Sequence, residues 1–372
     1  MPRSNPAAPP RLDEADIAAL RGALLGFYDA EKRDLPWRRT RDPYAIWISE
    51  VMAQQTRVET VVPYWHAWME AYPDVESLAA AAEASVLKSW EGLGYYSRGR
   101  NLPLAAKLVR VAKAGRLPGS REELRALPGV GAYTAGAVAS IAFGEVVPAV
   151  DGNVRRVASR ILDWPEPTSA TLEAEAARWV PEERPGDFNQ ALMELGATVC
   201  TPRSPRCGEC PVAARCRALA AGTVTERPRP RKRARVRVEE EQVTVAWRPA
   251  LEGIEFAMRQ RPAEGLLGGM YEFPGVSVEG EDLRRATPQA PTEIERALPD
   301  VRHTFSHIRM TYRPVLRRRG PGANPPAGTR WVGAGELEDL PLPVAQQAIL
   351  AHAKATLAHL GVSLDGGPVG SQ

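Results

Sequence analysis

From about Leu12 to Ala221 apolar residues recur three and four positions apart, in alanine-rich runs broken by Tyr72-Pro73, Leu117-Pro118-Gly119 and Pro181. That spacing lines one face of a helix after another and predicts an all-helical unit. The period then changes to two. Gln242-Val243-Thr244-Val245-Ala246-Trp247 and Ile254-Glu255-Phe256-Ala257-Met258-Arg259 are strand signals bounded by Pro and Gly. Farther on, the pattern predicts a short helix at 292–298, a strand over 305–316, another at 330–332 and a helix over 344–357. Between the two regimes, residues 227–238 hold seven Arg or Lys, two Pro and no acid, a composition that builds no core and reads as a linker. The expected layout is a tail at 1–11, a helical domain over 12–221, a basic linker over 222–238, a smaller α+β domain over 239–358 and a Gly- and Ser-rich tail at 359–372.

Composition bounds the function without choosing it. The chain has 372 residues, 44% hydrophobic and 25% charged, ordinary for a soluble protein of two domains. A net charge of +3 is too small to announce a nucleic-acid partner. The first ten residues carry four prolines and lack the apolar run of a secretory signal, and no stretch is fit to span a bilayer. A cytoplasmic, monomeric protein without a membrane partner is expected, nucleoid-associated in a bacterial cell. There, clustered cysteines are more often metal ligands than disulfides.

All four cysteines lie in one loop, Cys200, Cys207, Cys210 and Cys216. Four thiolates at Cx6Cx2Cx5C can hold a tetrahedral zinc or an iron–sulfur cube, and spacing alone leaves both open. Arg203, Arg206, Arg215 and Arg217 interleave with them, suited either to phosphate contact or to offsetting cluster charge. Leu127-Pro128-Gly129-Val130-Gly131-Ala132-Tyr133-Thr134-Ala135-Gly136 is a turn between a helix ending near Ala126 and one running to Phe143. Gly129, Val130 and Gly131 would bring backbone N–H groups to a helix N-terminus, where anions are favoured. Two acids stand out: Glu50, sharing its helical face with Ile46, Trp47, Ala53, Gln54 and Arg57, a partly apolar setting where burial would keep it protonated, and Asp151, placed to cap the helix after Asp-Gly-Asn.

The LPGVGxxTA hairpin, the cysteine loop and the order of the two acids together resemble the MutY-type adenine DNA glycosylases of the helix-hairpin-helix superfamily. The resemblance implies an all-α glycosylase domain with a [4Fe-4S] loop at 200–216, followed by a smaller α+β, Nudix-like domain. It implies a DNA N-glycosylase that flips adenine out of double-stranded DNA where it faces 8-oxoguanine or guanine. Glu50 would protonate the base at N7, ionised Asp151 would stabilise the oxocarbenium-like sugar, and Tyr133 would help order Asp151. Trp37, Arg38, Val58 and Glu194 match adenine-pocket positions. Gln55, Thr56 and Tyr95 match residues that enter the duplex beside the opposing base, and Phe305, Ser306 and His307 match the loop that contacts 8-oxoguanine. Ala53 departs from the larger apolar residue common at its position. Glycosylases that also cut the strand use a lysine, which in the endonuclease III pattern stands at the position of Tyr133, and this chain has none between Lys113 and Lys232, which argues against an efficient lyase. Gly265 to Gly275 looks like the opening of a Nudix motif, but its magnesium-binding acidic half is missing, so diphosphate hydrolysis is not expected.

Overall fold

The computed structural model describes residues 10–229, 236–277, 295–305 and 307–364. Contacts group the chain into two compact units, one from Met1–Ala80 and Asn101–Lys232, the other from Ala81–Arg100 and Arg233–Gln372. Helices run in the order α1 Glu14–Glu31, α2 Pro43–Met52, α3 Val58–Ala71, α4 Val75–Ala80, α5 Glu83–Ser89, α6 Ser97–Lys113, α7 Arg121–Arg125, α8 Ala132–Phe143, α9 Gly152–Ile161, α10 Ser169–Trp179, α11 Pro185–Thr198 and α12 Arg217–Ala220. Several starts are set locally: Asp42 accepts from the Tyr44 N–H with Pro43 at the first helical position, and Thr168 accepts from the Thr171 N–H, each satisfying a donor the helix cannot. The first unit's core joins Ile17, Leu20 and Leu24 of α1 to Val154 and Val157 of α9 and Phe188, Leu192 and Leu195 of α11. In α2 every residue from Tyr44 to Met52 is buried. An acid on such a helix is carried into the interior whichever way it faces.

In the second unit the strands are β1 Arg237–Ala250, β2 Gly253–Gln260, β3 Tyr271–Glu272, β4 Gly275–Ser277, β5 Glu295–Ala297, β6 Val301–Thr304, β7 Ile308–Arg318 and β8 Arg330–Gly333. The sheet order is β3-β2-β1-β7-β5, with β4 on β1, β6 on β7 and β8 on β2. β1 and β7 run parallel from Arg237↔Ile308 to Trp247↔Arg318, whereas β1 and β2 are antiparallel. Helices α13 Ala334–Asp339 and α14 Val344–His359 complete the fold, and Ile349, Ala353 and Leu357 of α14 share a core with Val243, Val245 and Phe256.

Two expectations about elements are corrected. In place of a helix at 292–298, Glu295–Ala297 form an edge strand paired with Arg317, Leu316 and Val315; residues 292–294 lie outside the described residues. Residues 305–316 are not one strand either: the Phe305 N–H donates to the Ile308 carbonyl at 2.8 Å, so Phe305 sits in the turn joining β6 to β7. Structure also reaches into the segments read as tails and linker. The Arg11 carbonyl accepts from Arg217, Arg227 pairs with Asp163 at 2.6 Å, and Val362 and Leu364 pack on the second core. Residues 1–9, 230–235 and 365–372, which complete those segments, lie outside the described residues. Among the described residues no helix is long and apolar enough to cross a membrane.

Candidate active site

Glu50, near the end of α2, and Tyr133, in the first turn of α8, meet in the first unit. The Tyr133 hydroxyl donates to Glu50 Oε2 at 2.5 Å and lies 3.4 Å from Met193 Sδ. Its partner is thus Glu50, not the expected Asp151. Burial drives the Glu50 carboxyl up to about 7; the Asp151 charge pushes the same way and the Tyr133 hydrogen bond opposes it. Desolvation penalises the charged form, so near neutrality a large share of this carboxyl keeps its proton. The Tyr133 hydroxyl is itself raised, first by burial and then by the charges of Glu50 and Asp151.

Asp151 caps α9, accepting from the Val154 N–H at 2.7 Å and from Asn153 Nδ2 at 2.9 Å. Burial raises its carboxyl as well, but those hydrogen bonds work against the rise. Both donate to carboxylate oxygens, the arrangement that favours the ionised form. Asn153 is itself held, because Arg156 Nη2 donates to its Oδ1 at 2.8 Å. Arg156 also donates to the carbonyls of Gly196 and Cys200, each at 2.8 Å. A Cβ on Gly196 would fall 2.6 Å from Asn153 Cβ, so only glycine lets α11 approach the start of α9 this closely.

Glu50, Tyr133 and Asp151 line one cleft of about 360 Å³, together with Trp37, Arg38, Ala53, Thr56, Val58, Asn153, Met193 and Glu194. Every expected adenine-pocket residue is therefore gathered here. Trp37 is buried and tilted against Trp65, ring centroids 6.1 Å apart. Glu194, also buried, is gripped by Arg33 Nε at 2.8 Å and Arg38 Nη2 at 2.8 Å. Burial pulls its carboxyl up, yet the bonds from Arg33 and Arg38 prevail and hold it near 2. The cleft thus sets two carboxyls that burial raises, Glu50 and Asp151, beside Glu194, which its arginines hold ionised. Arg33, Asn153 and Arg156 are functional candidates that sequence reasoning left unassigned; the only hint was their adjacency to the Leu35-Pro36-Trp37-Arg38 and Asp151 segments.

Gln55 and Thr56 lie in the turn after α2, with Gln55 exposed in the left-handed region at φ 57°. Tyr95, Phe305 and His307 line a separate cleft of about 400 Å³ in the second unit. Tyr95 is also left-handed, at φ 47°, and Phe305 packs edge-on against His303, centroids 4.6 Å apart. Ser306 lies outside the described residues. Between α7 and α8 the hairpin turn has Gly129 at φ 75° and Gly131 as the residue preceding α8.

The four cysteines converge on one cavity and are not disulfide-bonded. Cys200 and Cys210 rest against the first unit's core. Buried Arg160 donates to Cys200 Sγ at 3.2 Å and to the carbonyls of Thr201 and Pro202, a cation placed where a thiolate ligand would be charged. The arginines of the loop are mostly committed elsewhere: Arg206 pairs with Glu209, Arg215 with Asp16 at 3.6 Å, and Arg217 binds the Arg11 carbonyl. In the second unit Glu272, at the opening of the Nudix-like stretch, is buried and paired with Arg259 at 2.6 Å and with Arg261.

Residues 48–182 match the HhH-GPD superfamily of base excision DNA repair proteins, residues 200–216 the iron-sulfur binding domain of endonuclease III, and residues 249–352 the NUDIX domain. The adenine DNA glycosylase of Homo sapiens is 39% identical over 405 aligned positions, spanning 91% of this chain and 74% of that protein. The chain belongs to the adenine DNA glycosylase family. Its relative in Mycolicibacterium smegmatis is 45% identical over 212 positions, 55% of this chain and 72% of that protein. A solved thermostable thymine-DNA glycosylase aligns with 30% identity and a TM-score of 0.52, covering 56% of this chain and 98% of its own. As a member of this family the chain is a DNA N-glycosylase, a hydrolase of base excision repair, with DNA as its partner. Cys200, Cys207, Cys210 and Cys216 form the site of its [4Fe-4S] cluster, a match that chooses between the two groups the spacing allowed.

Proposed function

We propose that this adenine DNA glycosylase is monofunctional, acts as a monomer, and removes adenine opposite 8-oxoguanine or guanine in double-stranded DNA. The observation that carries the proposal is a buried Glu50, its carboxyl raised to about 7, in the same cleft as Asp151, whose carboxyl oxygens are both held by donors. A target inside the duplex is out of reach, so the nucleotide is extruded into the cleft beside Trp37. Tyr133 occupies Glu50 Oε2, which leaves Oε1 to carry the proton delivered to adenine N7. The N-glycosidic bond then breaks with its electron pair moving to the protonated base, and Asp151 stabilises the oxocarbenium-like sugar. Water adds at the sugar carbon and releases a proton, giving an abasic site. Arg38 and Glu194 offer polar contacts to the base, and the N–H groups after Gly129 hold phosphate without reading sequence.

The cluster's thiolates and Arg160 fix the loop that supports Arg156. When bound, the cluster supplies a rigid cross-link, and no step of base excision passes through it. Among the described residues no lysine lines the cleft, so a Schiff-base route to strand cleavage lacks its amine there. Gln55, Thr56, Tyr95, Phe305 and His307 are assigned to the opposing base on resemblance and on their exposed or cleft-lining positions; Ser306 shares the assignment by resemblance alone.

The test is single-turnover incubation of excess protein with a labelled duplex holding one adenine opposite 8-oxoguanine, followed by denaturing gels with and without hot alkali. Cleavage only after alkali, abolished by Glu50→Gln, is the expected result. Strand breaks without alkali would overturn the monofunctional assignment, and no product from cluster-loaded protein would overturn the choice of substrate.

A further inference from the structure

Tyr95 presents an aromatic ring on a backbone that disfavours it. Its φ of 47° follows Gly92 at 94° and Gly94 at 71°, and the residue is 46% exposed. A bulky residue holds a left-handed conformation only when its surroundings over-determine it. Those surroundings centre on Arg98. Its Nη2 donates to the carbonyls of Leu93 and Gly94, each at 3.1 Å, the two peptide oxygens that immediately precede Tyr95. Its guanidinium carbon lies 5.6 Å from the centroid of the Tyr95 ring and 5.3 Å from that of Trp90. The Gly94 carbonyl accepts a second bond from Trp90 Nε1 at 3.1 Å. Trp90 in turn is seated against Gly99, where a Cβ would come 2.8 Å from its Cγ.

Arg98 is an odd choice for helix stability. It stands in the first turn of α6, where the macrodipole disfavours a cation and which holds no acidic residue of its own. It is half-buried, and burial lowers its guanidinium to about 10. A flat, forked cation that satisfies two carbonyls while covering two rings is what this position uses, and lysine cannot reproduce it.

We propose that Arg98 is a positioning residue that holds the Tyr95 ring preset for insertion into the duplex, so that the wedge is formed before DNA arrives. This rests on the assignment, proposed above, of Tyr95 as a residue that enters the duplex beside the opposing base. A preset wedge lowers the ordering cost of binding and leaves the chemistry at Glu50 untouched. The signature is therefore a loss of affinity without a loss of excision rate.

The test measures affinity for a duplex carrying an uncleavable abasic analogue opposite 8-oxoguanine, for wild type, Arg98→Lys, Tyr95→Ala and the double variant, each checked for cluster absorbance and melting temperature. Arg98→Lys is expected to bind about tenfold more weakly, with single-turnover excision by saturating enzyme within about twofold of wild type. In the Tyr95→Ala background it should have no further effect, because the two act as a unit. The salt dependence of binding should be unchanged, since lysine keeps the charge. Unchanged affinity, losses that multiply with Tyr95→Ala, or a shallower salt slope that marks Arg98 as a phosphate contact would each overturn the proposal. Parallel loss of rate, affinity and melting temperature would show a merely structural role, and Arg98→Met should then fall equally on all three. A wild type that binds but does not excise adenine would overturn the assigned substrate while leaving these binding comparisons fully readable.

Discussion

Glu50 is a local weak point in the fold. Its carboxyl titrates at about 7 in the folded protein because burial disfavours the charge, against an ordinary 4.5. Between those values the folded state keeps a proton that the unfolded chain has released, so stability falls as pH rises through the window. The loss is about 1.4 kcal/mol per unit and about 3 kcal/mol in all. Glu50→Gln has no proton to lose, and calorimetry should show it melting several degrees above wild type at about pH 8 but not at about pH 4. An equal shift at both pH values would contradict the assignment. The excision rate should fall as pH rises above about 7, the opposite sign from a carboxylate base. At this scale much of the site was legible: the wheel around Glu50 forecast burial, and Asp-Gly-Asn forecast a cap. Tyr133 as the partner of Glu50 was not, because that contact joins α2 to α8 across 83 residues of chain and has no local signature.

The single helix α9 carries the supports of Asp151. Its cap residue is Asp151, its first turn holds Asn153, and one turn on Arg156 ties Asn153 Oδ1 to the carbonyls of Gly196 and Cys200. Arg156→Gln is expected to slow single-turnover excision by about 10- to 100-fold while changing affinity for an uncleavable mispaired duplex far less, since small displacements of a charge-stabilising group are costly. Equal losses of rate and affinity would argue against this route. The hairpin helices were forecast correctly by their Pro and Gly punctuation. By contrast, Glu295–Ala297 is a strand because the exposed edge of β7 pairs with it and Arg317 meets Glu295 at 2.5 Å. Such tertiary pairing overrides local preference. The turn at Phe305 was hidden for a related reason: alternation across 303–307 is the same for a continuous strand and for a tight hairpin.

At the scale of the whole molecule, chain order and contact order disagree over residues 81–100. The sequence places them within the helical domain, yet they cluster with the second unit. Lys88 Nζ donates to the Leu340 carbonyl at 3.3 Å, the Leu342 N–H donates to Glu91 Oε1 at 2.7 Å, and Arg100 donates to the Ala263 carbonyl. No periodicity analysis detects this, because the segment is helical whichever neighbours it has. All residues of the Glu50 cleft lie in the first unit, whereas Tyr95, Phe305 and His307 lie in the second. A chain ending after Arg229 keeps the Glu50 cleft, the four cysteines and Tyr95 but loses Phe305 and His307, and it is expected to excise adenine opposite guanine while losing most of its preference for 8-oxoguanine as partner. Retention of that preference would place the recognition elsewhere.

Gln55 and Tyr95 both stand on left-handed backbone. Each such residue costs on the order of 1–3 kcal/mol, met once by the rest of the fold. An enzyme that inspects long stretches of intact duplex gains from this in time. Side chains already in their working pose need no rearrangement at each base pair, so an encounter with an undamaged step can end as quickly as it began. On the duplex-entering roles proposed for Gln55 and Tyr95, the strain built into two turns is a setting on the speed of search, fixed when the chain folds.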